Sequence, residues 1–173
     1  MRKVYIVLTY TGTLLSRIVK MYTKKDYSHV SIALDENLDE MYSFGRTHPY
    51  LMLPAGFVKE HPNKGTFRRF NKTKSIIYSL EVNDEQYDKI VETINNFKKN
   101  PKKYGFNILG LALVMFNTRV KREKHFYCAE FVKYVLDESN VNTGLPEVIK
   151  PDDFRALEGL NFVYNGLLNE YRI

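Results

Sequence analysis

The segment Ser28–Leu34 alternates between branched apolar side chains and small or polar ones, which is typical of a half-buried β-strand. A polar turn follows over Asp35–Asp39, and Met41–Gly45 is predicted to be the returning strand of a hairpin. The segments Val4–Tyr10 and Ser75–Val82 also have strand character. Because hairpins pair neighbouring strands in opposite directions, these segments predict an antiparallel sheet.

Amphipathic helices are predicted at separate places along the chain. Thr13 can cap a helix after the first strand, and Asn83 with Gln86 forms a capping-box pattern before a second one. Another helix begins near Cys128 and has apolar residues at helical spacing on one face. Strands and helices are segregated, so we expect an α+β fold with an antiparallel sheet packed against helices.

The remaining segments carry weaker signals. The region Arg46–Asn71 is rich in proline and glycine and is predicted to be mostly loop. The apolar segment Tyr104–Phe116 is predicted to be a buried helix or helical turn. Pro151 suits the first turn of a short helix, and Leu160–Tyr164 is predicted to be a closing strand.

Length and composition indicate one globular domain over residues 1–173. The chain is 44% hydrophobic and 14% aromatic, which is too apolar for a disordered chain. A single cysteine excludes an internal disulfide. The longest apolar run, Ile108–Phe116, is shorter than the roughly 20 residues that a membrane helix needs. The N-terminus reads as a strand rather than a signal peptide, so we expect a cytoplasmic protein without a transmembrane segment.

The net charge of +6 comes partly from two basic runs, Lys98–Lys103 and Arg119–Lys124. Such runs are usually solvated loops or helix ends. No helix-turn-helix, zinc-finger or RNA-binding pattern accompanies them, so a nucleic-acid partner is not expected. An electrostatic binder of nucleic acid or anionic membranes remains as one alternative.

Cys128 is placed at the start of its helix, where a thiolate is stabilised. The unpaired N–H groups and the positive end of the helix dipole favour a negative charge there, and they can also bind an oxyanion. The other interpretation is a buried, inert thiol. His125 lies nearby, but there is no second cysteine and no usable set of further ligands. We therefore expect neither a metal nor another cofactor.

His29 begins the alternating strand and is the candidate base for this thiol. By the two-residue period it points away from Val30 and Ile32, on the side of the small residues Ser31 and Ala33. If the Cys128 helix packs on that side, the imidazole can reach the sulfur. A lone histidine at a strand end is otherwise a surface or capping residue.

Two motifs in this order resemble a known family. The string TYTGTLLSRIVKMYTKKDYSHVSIALD and the later FYCAEFVKYVL are similar to the permuted members of the NlpC-type papain-like superfamily, the YiiX-like group. In that group the histidine strand precedes the cysteine helix. The segment Lys150–Phe154 also resembles the acidic segment that follows the family's nucleophile helix. The resemblance implies a circularly permuted papain-like fold.

The resemblance also implies cysteine hydrolase or acyl-transfer chemistry on an amide or ester bond. Cys128 would be the nucleophile and His29 the base. Ser43 matches the position of the residue that orients the histidine, although a serine brings no charge, and Glu40 is the alternative on the opposite face of the strand. Glu130 would support the helix.

The implied substrates are peptides, amino-acid amides or acyl lipids. Apolar residues of the segments 46–58 and 104–116 are candidates to line a groove for them. The competing function is a binding domain of the same fold that is non-catalytic or weakly active, which the uncharged Ser43 favours.

Overall fold

The structure, a computed structural model, describes residues 1–114, 116–118 and 122–173. Its strands, numbered in chain order, are β1 (Arg2–Tyr10), β2 (His29–Ala33), β3 (Met41–Arg46), β4 (Ala55–Glu60), β5 (Lys74–Val82), β6 (Gly105–Phe106), β7 (His125–Phe126) and β8 (Leu160–Leu167). Its α-helices are α1 (Leu14–Thr23), α2 (Gly65–Arg69), α3 (Asp84–Lys99), α4 (Ile108–Val114) and α5 (Cys128–Glu138).

Six of the strands form one antiparallel sheet in the order β4-β3-β2-β1-β5-β8. In this sheet β1 lies at the centre, with Thr9 opposite His29 and Val7 opposite Ser31. β6 and β7 form a separate two-stranded parallel pair. The predicted α+β fold with an antiparallel sheet and several helices is confirmed.

Local signals explain where the helices begin. The Thr13 side chain accepts a hydrogen bond from the Ser16 amide at 3.3 Å, and it caps α1 as predicted. Asn83 and Gln86 form the predicted capping box at the start of α3, through bonds of 2.8 and 3.0 Å. Each such cap stabilises a helix by about 1 kcal/mol.

The two faces of the sheet have different cores. α3 and α5 cover the first face, where apolar side chains of the sheet meet those of the helices, including Ile6, Val30, Ile32, Phe44, Ile90, Ile94, Phe97, Phe131, Val132 and Val135. A smaller core on the second face contains Tyr5, Val7, Ala33, Met41, Phe67, Ile77 and Leu168. This second core includes residues of α2 and of the C-terminal segment.

α5 does not pack on the side of β2 that carries the small residues, which was the condition considered for its contact with His29. α5 packs on the Val30 and Ile32 side of β2, whereas Ala33 belongs to the core of the opposite face. Branched side chains drive this choice, because burying each stabilises the fold by about 1.5–3 kcal/mol and a small residue contributes less. Any approach of Cys128 to His29 therefore occurs at the end of β2 and not across its face.

The region Arg46–Asn71 is more ordered than predicted, because it contains β4 and α2. β4 pairs with β3 along its length, from Met41 opposite Glu60 to Arg46 opposite Ala55. The apolar segment Tyr104–Phe116 contains a short helix, α4, whose first residues are exposed rather than buried. Pro151 begins a 3-10 helix that ends at Ala156, and the closing strand extends to Leu167.

The basic runs have mixed placements. Lys98 and Lys99 form the last turn of α3, where cations complement the helix dipole, and Lys98 pairs with Glu40 at 3.2 Å. The second run, Arg119–Lys124, lies partly outside the described residues. Within residues 1–114, 116–118 and 122–173, no helix has both the length and the apolar character to cross a bilayer.

Candidate active site

Cys128 and His29 line one cavity, at the end of the sheet where β2 and α5 both begin. The cavity has a volume of about 200 Å³, and Glu60 also lines it. Cys128 is only 5% exposed, so its thiol meets this cavity rather than open solvent. Burial lowers the pKa of the His29 ring, and the charge of Glu60 followed by that of Cys128 raises it.

The thiol is held at the first residue of α5 by interactions around the helix start. Tyr127 caps the helix, and its amide donates to Glu130 Oε2 at 3.2 Å. The Asn107 side chain donates to the same carboxylate at 3.1 Å, which ties the start of α4 to that of α5. The Tyr127 hydroxyl donates to the Ile149 carbonyl at 2.8 Å. Glu130 thus has the predicted supporting place on the helix.

His29 is oriented by a carboxylate on β4. Its Nε2 lies 3.1 and 3.2 Å from the two carboxylate oxygens of Glu60, and the imidazole side chain is 20% exposed. Burial opposes a charged imidazole, but the charge of Glu60 and then that of Cys128 outweigh it, so the pKa of His29 is well above its ordinary value. The ring therefore favours the imidazolium form.

Glu60 is itself buried, with 9% of its side chain exposed, and is stabilised as an anion. Burial alone would raise its pKa, but the charge and hydrogen bond of His29 lower it. The Ser31 hydroxyl donates to Glu60 Oε2 at 2.6 Å and also lowers this pKa. A buried carboxylate with these partners stays ionised next to the imidazole.

Ser43 lies beside the carboxylate rather than on the imidazole nitrogen. Its hydroxyl contributes to the lowered pKa of Glu60, but Ser43 Oγ is buried and meets hydrogen-bond geometry with no group in the described part of the chain. Ser31 therefore contributes more than Ser43 to the lowered pKa of Glu60. The small residues of β3 also leave space: a Cβ on Gly45 would lie 3.4 Å from His29 Cε1 and 3.8 Å from Glu60 Oε1.

Glu40, the other residue predicted as a possible third member, lies away from this site. Its carboxylate contacts the Tyr42 hydroxyl and the Lys59 ammonium, and it accepts from Lys98 at 3.2 Å. These contacts lower the pKa of Glu40 to about 2, with the Lys59 hydrogen bond as the largest cause. Glu40 therefore belongs to a surface ion-pair cluster.

Sequence reasoning missed Glu60 because it treated the segment around it as loop. The signal for β4 was the short run between Pro54 and Pro62, which has Phe57 and Val58 at its centre. Flanking prolines and glycines obscured that run. Even if β4 had been predicted as a strand, Glu60 would not have been identified as the partner of His29. The two residues lie on β4 and β2, which are separated in the sheet by β3.

The segment just before His29 is anchored from the 3-10 helix near the C-terminus. Asp152 is buried and accepts from the Tyr27 amide at 3.2 Å. Asp153 accepts from the Lys150 amide at 2.8 Å and so closes the first turn of that helix. These contacts join the Lys150–Phe154 segment to the start of β2.

The cavity walls are mostly apolar and come from several elements. They include Phe44 on β3, Phe67 on α2, Phe106, and the two segments expected to form a groove, which contribute Met52, Leu53, Ile108 and Leu111. Met52, Leu53 and Ile108 are more than half exposed, so the cavity opens at an apolar rim. Such a shape fits an elongated ligand with an apolar part.

No protein-family model matches this chain, and no curated protein matches it. A thiol at a helix N-terminus, an imidazole, and a buried carboxylate on one ring nitrogen of that imidazole are the groups needed for nucleophilic attack on a carbonyl.

Proposed function

We propose that this protein is a cysteine-dependent hydrolase or acyl-transfer enzyme that acts on an amide or ester bond. Cys128 is the nucleophile, His29 the general base and acid, and Glu60 the residue that orients and charges the imidazole. The observation that carries the proposal is the shared cavity of Cys128 and His29, in which a buried carboxylate holds Nε2 of the ring.

The acylation step follows from this arrangement. Because Glu60 engages Nε2 of His29, Nδ1 holds the proton that the Cys128 thiol gives up when the thiolate–imidazolium pair forms. The Cys128 sulfur then forms a bond to the carbonyl carbon, and the carbonyl electron pair moves onto oxygen. When the C=O bond re-forms, the bond to the leaving amine or alcohol breaks, and His29 returns the proton to that leaving group. The product is a thioester on Cys128.

Deacylation repeats the sequence with a new nucleophile. Water, or an acceptor alcohol or amine, gives a proton to His29 as its oxygen or nitrogen attacks the thioester carbonyl. The C–S bond then breaks, and the Cys128 thiol is restored by the proton from His29. Hydrolysis and acyl transfer share every step except the identity of this nucleophile.

Charge that develops on the carbonyl oxygen can be stabilised at the start of α5. The first amides of a helix have no carbonyl partner within the helix, and its dipole is positive at that end. The sulfur of Cys128 is attached to the first residue of α5, so an oxyanion bonded next to it would lie near these amides. Removing one such donor typically costs on the order of 10²–10³ in rate.

We also propose that the fold is the permuted papain-like one and that the compartment is the cytoplasm. The fold proposal is supported by chain order, because the histidine strand precedes the cysteine helix and both contribute to one cavity. A cytoplasmic location would keep the single thiol reduced, as a nucleophile requires.

The non-catalytic alternative loses its main support. It rested on Ser43, which brings no charge to the imidazole, whereas Glu60 provides a buried carboxylate at 3.1 Å. Peptides, amino-acid amides and acyl lipids all remain substrate candidates, since each offers a carbonyl together with an apolar part.

The proposal is tested by trapping the acyl-enzyme. Incubation with p-nitrophenyl esters of graded chain length, followed by intact-mass and peptide mass spectrometry, should find one acyl group on Cys128. Cys128→Ala should abolish the adduct and His29→Gln should slow its formation at least 100-fold. His48→Gln is the matched control, because His48 is exposed and lies outside the cavity. Equal adduct formation in wild type and His29→Gln would contradict the proposal.

A further inference from the structure

Arg46 brings a positive charge into the nucleophile's cavity. It is the last residue of β3, it is only partly exposed, and it lines the same cavity as Cys128 and His29. The same side chain lines a second cavity of about 390 Å³, which Phe67 and Glu60 also line. Arg46 therefore borders both the cavity of the reacting groups and a second space that a substrate could occupy.

Within the described ranges, the Arg46 guanidinium forms no ion pair. Its contacts are the Thr13 hydroxyl at 3.5 Å and the face of the Phe70 ring, whose centroid lies 5.4 Å away. Glu60 lines the same cavity, but its carboxylate is engaged by His29 and Ser31. The positive charge of Arg46 is thus not neutralised by the protein around it.

A second arginine increases the positive potential at this place. Arg69 lies over the same Phe70 ring at 5.2 Å and over Tyr50 at 4.4 Å, and it donates to the Pro49 carbonyl at 2.9 Å. Burial, followed by the charge of Arg69, lowers the pKa of Arg46. Two guanidinium groups that repel each other next to an apolar cavity would be relieved by an anion.

We infer that Arg46 is a specificity-determining residue, which binds an anionic group of the substrate while the apolar walls hold its hydrocarbon part. The inference rests on the proposed function and names its substrate class: an amphiphilic ester or amide with a free carboxylate or phosphate. A guanidinium suits either group, because its planar fork donates two parallel hydrogen bonds to an oxyanion.

Because the chain has a single cysteine, the positive electrostatic potential near Cys128 can be tested directly. Iodoacetate and iodoacetamide alkylate the same thiol by the same displacement of iodide, and they differ in that only iodoacetate carries a negative charge. The ratio of their rate constants at Cys128 therefore reports local charge, whatever the absolute reactivity of the thiol. Relative to glutathione, the wild-type ratio should be raised by about tenfold at low salt, and added salt should lower it.

Variants then assign the effect to one residue. Arg46→Gln should remove most of the preference for iodoacetate, whereas Arg46→Lys, which keeps the charge, should retain it. Arg68→Gln is the matched control, since it removes the same charge from an exposed position on α2 that lines neither cavity. An unchanged ratio in Arg46→Gln, or an equal loss in Arg68→Gln, would overturn the inference.

A binding measurement separates this inference from the proposed chemistry. Calorimetry on Cys128→Ala, which cannot form a thioester, should show that N-octanoylglycine or monooctyl phosphate binds about tenfold more tightly than N-octanoylglycine methyl ester. Which of the two anions binds better identifies the carboxylate or the phosphate as the natural group. The preference should disappear when Arg46→Gln is added, and equal binding of all three ligands would contradict the inference.

If the anion preference holds but no acyl-enzyme forms in wild type, the proposed function fails and the anionic subsite stands. If acyl-enzyme forms without any anion preference, the proposed function stands and the anionic subsite fails.

Discussion

At the scale of single residues, the site depends on how Glu60 and His29 change each other's protonation. Burial disfavours the charge on both side chains, and each charge offsets that cost for the other. Removing one partner should therefore reverse the shift in the pKa of the other.

Glu60→Gln should lower the pKa of His29. In wild type this pKa is well above its ordinary value. The glutamine keeps the size of the side chain but removes the charge of Glu60, so that Cys128 alone opposes the lowering of the pKa by burial. Titration of the His29 Cε1 proton by NMR should give a lower pKa in the variant than in wild type. A pKa of His29 that is the same in the variant as in wild type would contradict the assigned role of Glu60.

The two serines near Glu60 should differ in their effect on stability. Ser31→Ala removes a 2.6 Å hydrogen bond to a buried carboxylate, and it should lower the free energy of unfolding by about 1.5–3 kcal/mol. Ser43→Ala removes a hydroxyl that meets hydrogen-bond geometry with no described group, so it should change stability by less than about 0.5 kcal/mol. Urea unfolding of both variants measures the contrast, and equal losses would contradict it.

At the scale of elements, the start of α5 is positioned by its link to α4. The Asn107 side chain donates to Glu130 on α5 and accepts from the Gly110 amide on α4 at 2.9 Å. This residue is fully buried between the two helix starts. The placement of Cys128 therefore depends on a side chain outside its own helix.

Gly110→Ala should disturb this link. A Cβ at Gly110 would lie 2.2 Å from Asn107 Nδ2, so the amide would have to leave its partners on both helices. We expect a loss of about 1–3 kcal/mol in the free energy of unfolding and slower alkylation of Cys128.

Gly56→Ala is the control for that substitution. Gly56 lies on β4, and a Cβ there would have no neighbour within 4 Å. This variant should be neutral or slightly stabilising, because alanine restricts the unfolded chain. Equal stability of the two variants would show that Asn107 does not link α4 to α5.

At the scale of the whole molecule, periodicity and capping patterns predicted most elements, because these signals are local. The α+β class, the hairpin and the helix beginning at Cys128 were all accessible in this way. The course of the chain between Arg46 and Asn71 was not, since β4 is defined by pairing with β3 more than by its own composition. Glu60 was missed for the same reason.

The face of β2 on which α5 packs also could not be predicted from the local sequence. The small residues Ser31 and Ala33 suggested space for a helix, but the branched residues Val30 and Ile32 give a larger gain from burial. Such competition between faces is decided by the packing of all elements together.

The pH dependence of folding stability should reflect the charged pair. The folded-state pKa of His29 is raised, so its contribution is full below the unfolded value of about 6.5 and is lost as pH rises through the folded pKa. The pKa of Glu60 is lowered, so its contribution is present above about 4.3 and is lost as pH falls through the folded pKa.

The excess stability of wild type over Glu60→Gln should therefore be largest between about pH 4.3 and 6.5, and smaller at higher pH. Urea unfolding of both proteins across this range measures it. An excess that grows as pH rises above 6.5 would contradict the assigned shift of His29.

The central claim is that Cys128 and His29 act as one thiolate–imidazolium pair, and the pH profile of alkylation tests it most directly. Because the chain has a single cysteine, the rate constant for iodoacetamide belongs to Cys128 alone. Wild type should react at pH 6–7 about tenfold or more faster than glutathione, and His29→Gln should lose that excess while the fold is retained. Wild-type alkylation no faster than glutathione, or an identical profile in His29→Gln, would contradict the account.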